Sequence, residues 1–390
     1  MEISLRKNGL TIGFIFLNMA ILGIVHSMRG PALPFIQTEY ALGYDRIAFM
    51  IIVCSLGMFL GVLIGGRICE RFGYKRGLLF STIIMFISLG SLSVYSGFEY
   101  LIIKFFFIYT ALGCMDIALN ALGSRVFITK TAILMSLTHF FFGAGSAGGA
   151  QYAGFMLDGD TPWRHIFISV LILYALSFAM IFFAKFPQTH QNGNANQQPF
   201  TTVIKDTRVW LAFGTTGFSS IFDFGIINWL VIYLRDTQNM TPHASASYLT
   251  LYFALFALGR LVGGVIAEKF GYVKIFFVCM LSAGLLFFAG IITGNALLFS
   301  GTGLFTSVFF PLFLSIIVKD FRDDAPSVIS IIFPLNGVLF MLSSFVLGIL
   351  MESIGVQTGF YVIGAFIVIA PIFLLSLNRK LIRKTSCSNN

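Results

Sequence analysis

Charge is what this chain has least of. Asp, Glu, Lys and Arg make up 11% of its 390 residues, while 57% are hydrophobic. That leaves too little polar surface to keep a folded chain of this size in water. Acid is scarcer than base, 16 Asp and Glu against 25 Lys and Arg, for a net charge of +9. Cysteine is scarce too: Cys54, Cys69, Cys114, Cys279 and Cys387 lie mostly inside apolar segments. They have no disulfide or metal-ligand spacing and are expected to be core filler. The chain has no Walker loop, no catalytic constellation and no soluble stretch that could hold a nucleotide. Those absences exclude an enzyme and an ATP-driven pump, and imply neither cofactor nor metal. What the chain has in excess is apolar length. A mean hydropathy of +0.90 defines an integral membrane protein.

Apolar stretches long enough to span a bilayer fall near 9–36, 45–68, 77–95, 98–124, 132–157, 163–186, 208–234, 243–267, 273–292, 295–318, 326–352 and 356–378. The first is long enough to cross and no small-residue cleavage site follows it, so no cleaved signal is expected. The reading is all-α, twelve helices in two sets of six. The widest polar gap, residues 187–206, is rich in Gln and Asn and reads as a linker between a first unit, 1–186, and a second, 207–390. Sorted onto alternate loops, the basic residues fall almost entirely on one side, Arg67, Arg71, Lys75, Arg76, Arg125, Arg260, Lys269 and Lys274 among them. Arg46, Arg164 and Arg235 fall on the other. The positive-inside rule then places both termini, the linker and the basic turns in the cytoplasm, for a protein of a bacterial inner membrane. The positive charge faces anionic lipid and gives no support to nucleic-acid binding.

One motif is written twice. Gly66-Arg67-Ile68-Cys69-Glu70-Arg71-Phe72-Gly73-Tyr74-Lys75-Arg76 returns as Gly264-Val265-Ile266-Ala267-Glu268-Lys269-Phe270-Gly271-Tyr272-Val273-Lys274. Each copy leaves one apolar segment and enters the next, so the chain is an internal duplication. Gly66 and Gly73 permit a tight reversal, Glu70 can accept from Arg71 or Arg76, and Gly264, Glu268, Lys269 and Gly271 repeat the arrangement. Such a charged turn between bundles is expected to act as a conformational latch, stabilising one state of a rocking cycle.

Twelve helices, the six-plus-six repeat and this turn between helices two and three resemble the major facilitator superfamily over essentially the whole chain. Within it, Gly113-Cys114-Met115-Asp116-Ile117-Ala118-Leu119-Asn120 is similar to the Gly-Cys-Leu-Glu-x-x-x-Asn stretch of fucose permease-like sugar:proton symporters. The resemblance implies that Asp116 takes part in proton coupling. The segment from Asp223-Phe224-Gly225 through Asn228-Trp229-Leu230 is similar to helix seven of that branch and its uncharacterised bacterial relatives. That branch also carries an Asp on helix one, whereas no acidic residue lies between Gly9 and Gln37 here. Gly143 to Gly149 on helix five resembles the Gly-Pro-x-Gly-Gly stretch of drug:proton antiporters, with Ser146 where that motif has Pro. Close helix packing accounts for the same small residues.

Each ionisable group at membrane depth needs a reason, because it costs at least ~2.5–3.5 kcal/mol on insertion scales. Asp116 and Asn120 lie one turn apart on one helix face, a titratable carboxylate beside a hydrogen-bonding amide. The alternative for Asp116 is a permanent ion pair with Arg29. Asp223, at the middle of helix seven, is expected to face Arg29 across the cavity, or else to cap a kink in its own helix. Arg29 precedes Gly30-Pro31 and Pro34, so helix one is expected to bend there and to present the guanidinium to an anionic or polyhydroxylated ligand. His26, His139, Gln151, Asn228 and Asn336 serve either binding or helix packing. Trp229 is a candidate to stack on a sugar ring, and Lys104 is expected to snorkel outward. The reading is a secondary transporter for a small polar solute, a sugar or sugar-like compound, coupled to protons through Asp116 or Asp223. Arg29, Asn120, His139, Asn228, Trp229 and Asn336 would bind the solute, and the chain would act as a monomer in the bilayer. The alternative is a proton-driven exporter of an amphiphilic metabolite or drug.

Overall fold

The computed structural model describes residues 2–127, 131–187, 203–321 and 324–388, and among these the regular structure is helical throughout. In lipid a backbone can satisfy its own N–H and C=O groups only as a helix or a closed barrel, and long apolar runs without strand alternation choose the helix. The first set is α1 (Glu2–Glu39), α2 (Tyr44–Phe72), α3 (Tyr74–Ser91), α4 (Phe98–Val126), α5 (Thr131–Asp158), α6 (Trp163–Ser169) and α7 (Leu171–Phe183). The second is α8 (Thr207–Gln238), α9 (Pro242–Phe270), α10 (Tyr272–Thr293), α11 (Ala296–Thr306), α12 (Phe309–Phe321), α13 (Ala325–Ile354) and α14 (Val356–Ser388). Two spans are broken: α6 and α7 are halves of Trp163–Phe183, and α11 and α12 are halves of Ala296–Phe321. Among the described residues these fourteen helices therefore make twelve crossings. Ten of these segments are long and apolar enough to cross a membrane by composition alone. The other two are α3, which opens on Lys75 and Arg76, and α5, diluted by glycines, His139 and Gln151. Of the expected linker, residues 188–202 lie outside the described residues.

Small residues set how closely the helices approach. A Cβ on Gly61 of α2 would sit 2.2 Å from the Thr110 carbonyl oxygen of α4, so backbone meets backbone there. Gly145 and Gly149 of α5 press in the same way on Ala20 and Ile24 of α1, while Gly143 turns to Ala257 of α9. The glycine run of α5 is used on both flanks for packing. α1 continues as one helix through Pro31 and Pro34.

The duplication is visible in the backbone. Gly73 (φ 88°) and Gly271 (φ 96°) end α2 and α9, and each N–H donates at 2.9 Å to the carbonyl four residues earlier, Cys69 and Ala267. Both copies of the motif build the same turn, at a backbone conformation that favours glycine. The bundles meet along three pairs of helices: α1 beside α8, α2 beside α13 and α5 beside α9. The register is readable from touching residues. Gly348 lies on Ala48 and Gly337 on Phe59, so α13 runs antiparallel to α2; Gly154 lies on Ala246 and Gly143 on Ala257, so α5 and α9 are antiparallel too. α1 and α8 run parallel, with Gly30 against Ile227 and Phe35 under Arg235.

Candidate functional site

Between the bundles lies a cavity of about 240 Å³. His26 and Arg29 of α1, Ser55, Met58 and Phe59 of α2 and Tyr109 of α4 form one wall. Ser220 and Phe224 of α8 with Asn336, Gly337, Phe340 and Met341 of α13 form the other. The lining is largely aromatic and thioether, with a few polar groups at fixed places, as small-molecule sites are.

Arg29 dominates it. The residue is 4% exposed, its Nη2 donates to Asn228 Oδ1, and its guanidinium lies 4.8 Å over the Tyr109 ring. No carboxylate faces it. The ion pairs among the described residues are Arg46–Glu99, Arg164–Glu39 and Arg208–Asp206, all elsewhere. The pairing of Arg29 with Asp116 weighed from the sequence is therefore not formed. Nor does Asp223 face Arg29. Asn228 takes that place, because residues five apart on a helix point about 140° away from each other. Around the guanidinium, His26 Nδ1, Tyr109 OH and Asn228 Nδ2 are buried without a hydrogen-bond partner, and Asn336 Oδ1 is likewise unpaired further along the cavity, against Gly217. A desolvated cation and three unmet polar groups converging on one space is an unstable arrangement unless something enters it.

The carboxylates lie in a second group. Asn120 Nδ2 donates to Asp116 Oδ1 at 2.9 Å and to the Asp116 carbonyl at 3.0 Å. Asp223 Oδ1 accepts from Tyr252 OH, which shares a 2.9 Å bond with Thr306 Oγ1. Arg260 of α9 donates from Nε to the Ser307 carbonyl at 3.2 Å. Sorted from the sequence with the surface cations, Arg260 instead lies ten residues before the end of α9, within electrostatic reach of both Asp116 and Asp223. Tyr252, Thr306 and Arg260 are functional candidates that the sequence reading passed over. Tyr252, Phe256 and Arg260 recur every four residues, one face of α9, and that spacing is the signal that could have found them.

The other expected residues divide. His139 lies near Arg260, and Asn336 lines the cavity. Trp229 is 1% exposed, packed in the core and not part of the cavity wall. Lys104 Nζ donates to the Val94 carbonyl at 2.8 Å, at an exposed helix end. The motif residues Glu70, Arg71, Arg76, Glu268 and Lys269 are exposed, and none belongs to an ion pair among the described residues. Polar contacts joining the bundles gather instead at the opposite end. Tyr44 OH donates to Asp236 Oδ2 and Tyr44 N–H to Glu352 Oε2, each at 2.7 Å. Gln151 Nε2 and His243 Nε2 meet at 2.8 Å, and Arg235 lies 4.8 Å over Phe35. The molecule is clasped at the end away from the repeated turns.

Two six-helix bundles around a central cavity, related by an internal repeat and closed at one mouth, define an alternating-access membrane carrier. The sequence profile of the Major Facilitator Superfamily matches residues 15–230 and 212–386, and the chain belongs to that superfamily. It is a multi-pass transporter of small organic solutes and not an enzyme. It is 25% identical over 277 residues to the cis,cis-muconate transport protein of Acinetobacter baylyi, covering 67% of each chain. It is 24% identical over 268 residues to the 3-(3-hydroxy-phenyl)propionate transporter of Escherichia coli, covering 67% of this chain and 65% of that one. Among solved structures, an inward-facing, unoccupied bacterial homologue of the lysosomal transporter Spinster superposes with a TM-score of 0.76 at 12% identity, over 96% of this chain and 98% of that one.

Proposed function

We propose that the protein is a proton-coupled carrier of a small organic acid. The observation that carries this reading is Arg29, a buried guanidinium on the cavity wall with no carboxylate among the described residues to neutralise it. A planar, bidentate donor in a low-dielectric pocket is matched by a carboxylate. Tyr109 OH and Asn228 Nδ2, unpaired beside it, are placed to donate to the same anion. Phe59, Phe224, Phe340, Met58 and Met341 offer an apolar bed for an unsaturated or aromatic body. The two relatives named above for muconate and hydroxyphenylpropionate transport both carry carboxylates, which agrees with this choice.

A sugar is the second reading, supported by the likeness of the Gly113–Asn120 stretch to sugar symporters and by two amides, Asn336 on the cavity wall and Asn228 beside Arg29. The exporter alternative draws little from the glycine run of α5, where Gly145 and Gly149 are engaged by α1 and Gly143 by α9. Asp116 and Asp223 are the proton-carrying candidates. By the positive-inside assignment the open mouth at the repeated turns is cytoplasmic, so the conformation is inward-open, with residues 1–186 rocking against 207–390 as a monomer in a bacterial inner membrane. Glu70, Arg71 and Arg76, in no ion pair among the described residues, then form their latch in the opposite state. The purified protein in detergent tests the substrate class by thermal shift with cinnamate, 3-phenylpropionate and muconate against xylose and fucose. Stabilisation by the acids and not the sugars is expected; stabilisation by a sugar alone overturns the organic-acid assignment.

A further inference from the structure

Neither the solute contacts at Arg29 nor proton carriage by Asp116 and Asp223 gives Arg260 a task. Arg260 shares a face of α9 with Tyr252 and Phe256. Its two described contacts, the Ser307 carbonyl at 3.2 Å and the Phe256 ring at 4.6 Å, carry no compensating charge. The titratable groups within its electrostatic reach are Asp116 on α4, His139 on α5, Asp223 on α8 and Tyr252 on its own helix. The packing shows why they converge. The antiparallel register that sets Gly154 on Ala246 and Gly143 on Ala257 continues to place His139 and Phe140 opposite Arg260.

These groups do not move together. Asp223, Tyr252, Thr306 and Arg260 belong to the second bundle, with the first three joined by hydrogen bonds. Asp116, Asn120 and His139 belong to the first. Asp116 Oδ1 is taken by Asn120, and Oδ2 has no protein partner among the described residues. When one bundle rocks against the other, the separation of Arg260 from Asp223 stays nearly fixed and its separation from Asp116 changes. In the conformation described, open at the repeated turns, neither carboxylate is within ion-pair distance of Arg260.

We infer that Arg260 converts the protonation of Asp116 into the position of the bundles: a charged Asp116 draws Arg260 across the interface and closes the mouth at the repeated turns, and a protonated Asp116 releases it. One guanidinium serves two carboxylates, so the cluster holds one negative charge in excess and can take up one proton without adding net positive charge. His139, facing the same guanidinium, repels it when protonated and so acts in the same direction as protonated Asp116. The inference rests on the proton-coupled reading above and adds to it the residue through which the proton acts.

The test needs no solute. Spin labels are placed at Ser124 on α4 and Val265 on α9, both exposed, in an otherwise cysteine-free full-length protein in lipid nanodiscs. The distance distribution is then followed from about pH 5 to about pH 8. The short-distance, closed population is expected to grow by about threefold or more as pH rises, a modest shift for a two-state element. Arg260→Gln and Asp116→Asn are expected to flatten that response, while Arg260→Lys and His139→Gln retain most of it. Should Arg260→Gln fail to assemble, the pair Asp116→Asn with Arg260→Gln removes opposite charges together and is expected to give the same flat response. A wild-type pH response in Arg260→Gln, or in that pair, overturns the inference and leaves proton coupling standing. A parent protein with no pH response, and no gradient-driven accumulation of the acids named above, overturns both.

Discussion

Replacing Arg29 with methionine is expected to weaken binding of an organic acid by roughly 30- to 150-fold, the loss of about 2–3 kcal/mol from a charge-assisted, buried hydrogen-bonded pair. The same change is expected to raise the melting temperature of the empty protein. In the absence of solute, Arg29 is a desolvated cation whose described contacts, Asn228, the Tyr109 ring and the Cys54 side chain, include no carboxylate, and exchanging an uncompensated buried charge for an apolar chain of similar length removes a cost. A rise of a few degrees is the expected magnitude. The two effects in opposite directions distinguish a binding residue from a structural one. A structural Arg29 would lower the melting temperature on removal and leave the affinity of the surviving protein unchanged. Arg29→Lys keeps the charge and loses the planar fork, so affinity should fall between the two. Calorimetric titration and a melting curve on the same preparations measure both.

Asp116→Asn is expected to abolish accumulation of the acid against its gradient while exchange across the membrane continues. The substitution is isosteric, Asn120 can still donate to the new side-chain oxygen as it does now at 2.9 Å, and net proton movement is the only step removed. Exchange of labelled for unlabelled solute needs the bundles to rock loaded but needs no proton to be released. Asp223→Asn is the companion variant. Its carboxylate is embedded with Tyr252 and Thr306, so the change is expected to reduce both accumulation and exchange through disturbed packing. If Asp223→Asn loses accumulation alone and Asp116→Asn loses nothing, the roles assigned to the two carboxylates are exchanged.

Much of this architecture is legible in the chain, and for definite reasons. Twelve crossings follow from apolar runs of bilayer length, and the repeat from a motif whose two glycines occupy the same unusual backbone conformation. Arg29 is readable because a cation inside an apolar run has no ordinary explanation, and the Asp116–Asn120 contact because residues four apart share a helix face. The failures are equally physical. Trp229 follows Asn228, and neighbours on a helix point about 100° apart; with Asn228 turned to α1, the indole is carried into the core. Arg260 stands four residues before the repeated motif and reads as one of its surface charges, although the helix that contains it continues for two further turns or more. Tyr252 and Thr306 carry a single hydroxyl each among apolar neighbours, and only the crossing of α8, α9 and α11 brings them to Asp223. The breaks at Val170 and at Ser307–Val308 have neither proline nor glycine at the break itself to announce them.

Coupling of an organic anion to a proton is most directly measured in sealed proteoliposomes under an imposed pH gradient. The labelled acid is the one from the thermal-shift panel that stabilises the protein most strongly, and external pH is recorded at the same time. The account predicts accumulation above the equilibrium level together with alkalinisation of the acidic side, both lost when an uncoupler collapses the gradient and both absent with Asp116→Asn. Uptake that rises only to equilibrium, unaffected by the uncoupler and without a pH change, would contradict proton coupling and leave a facilitator.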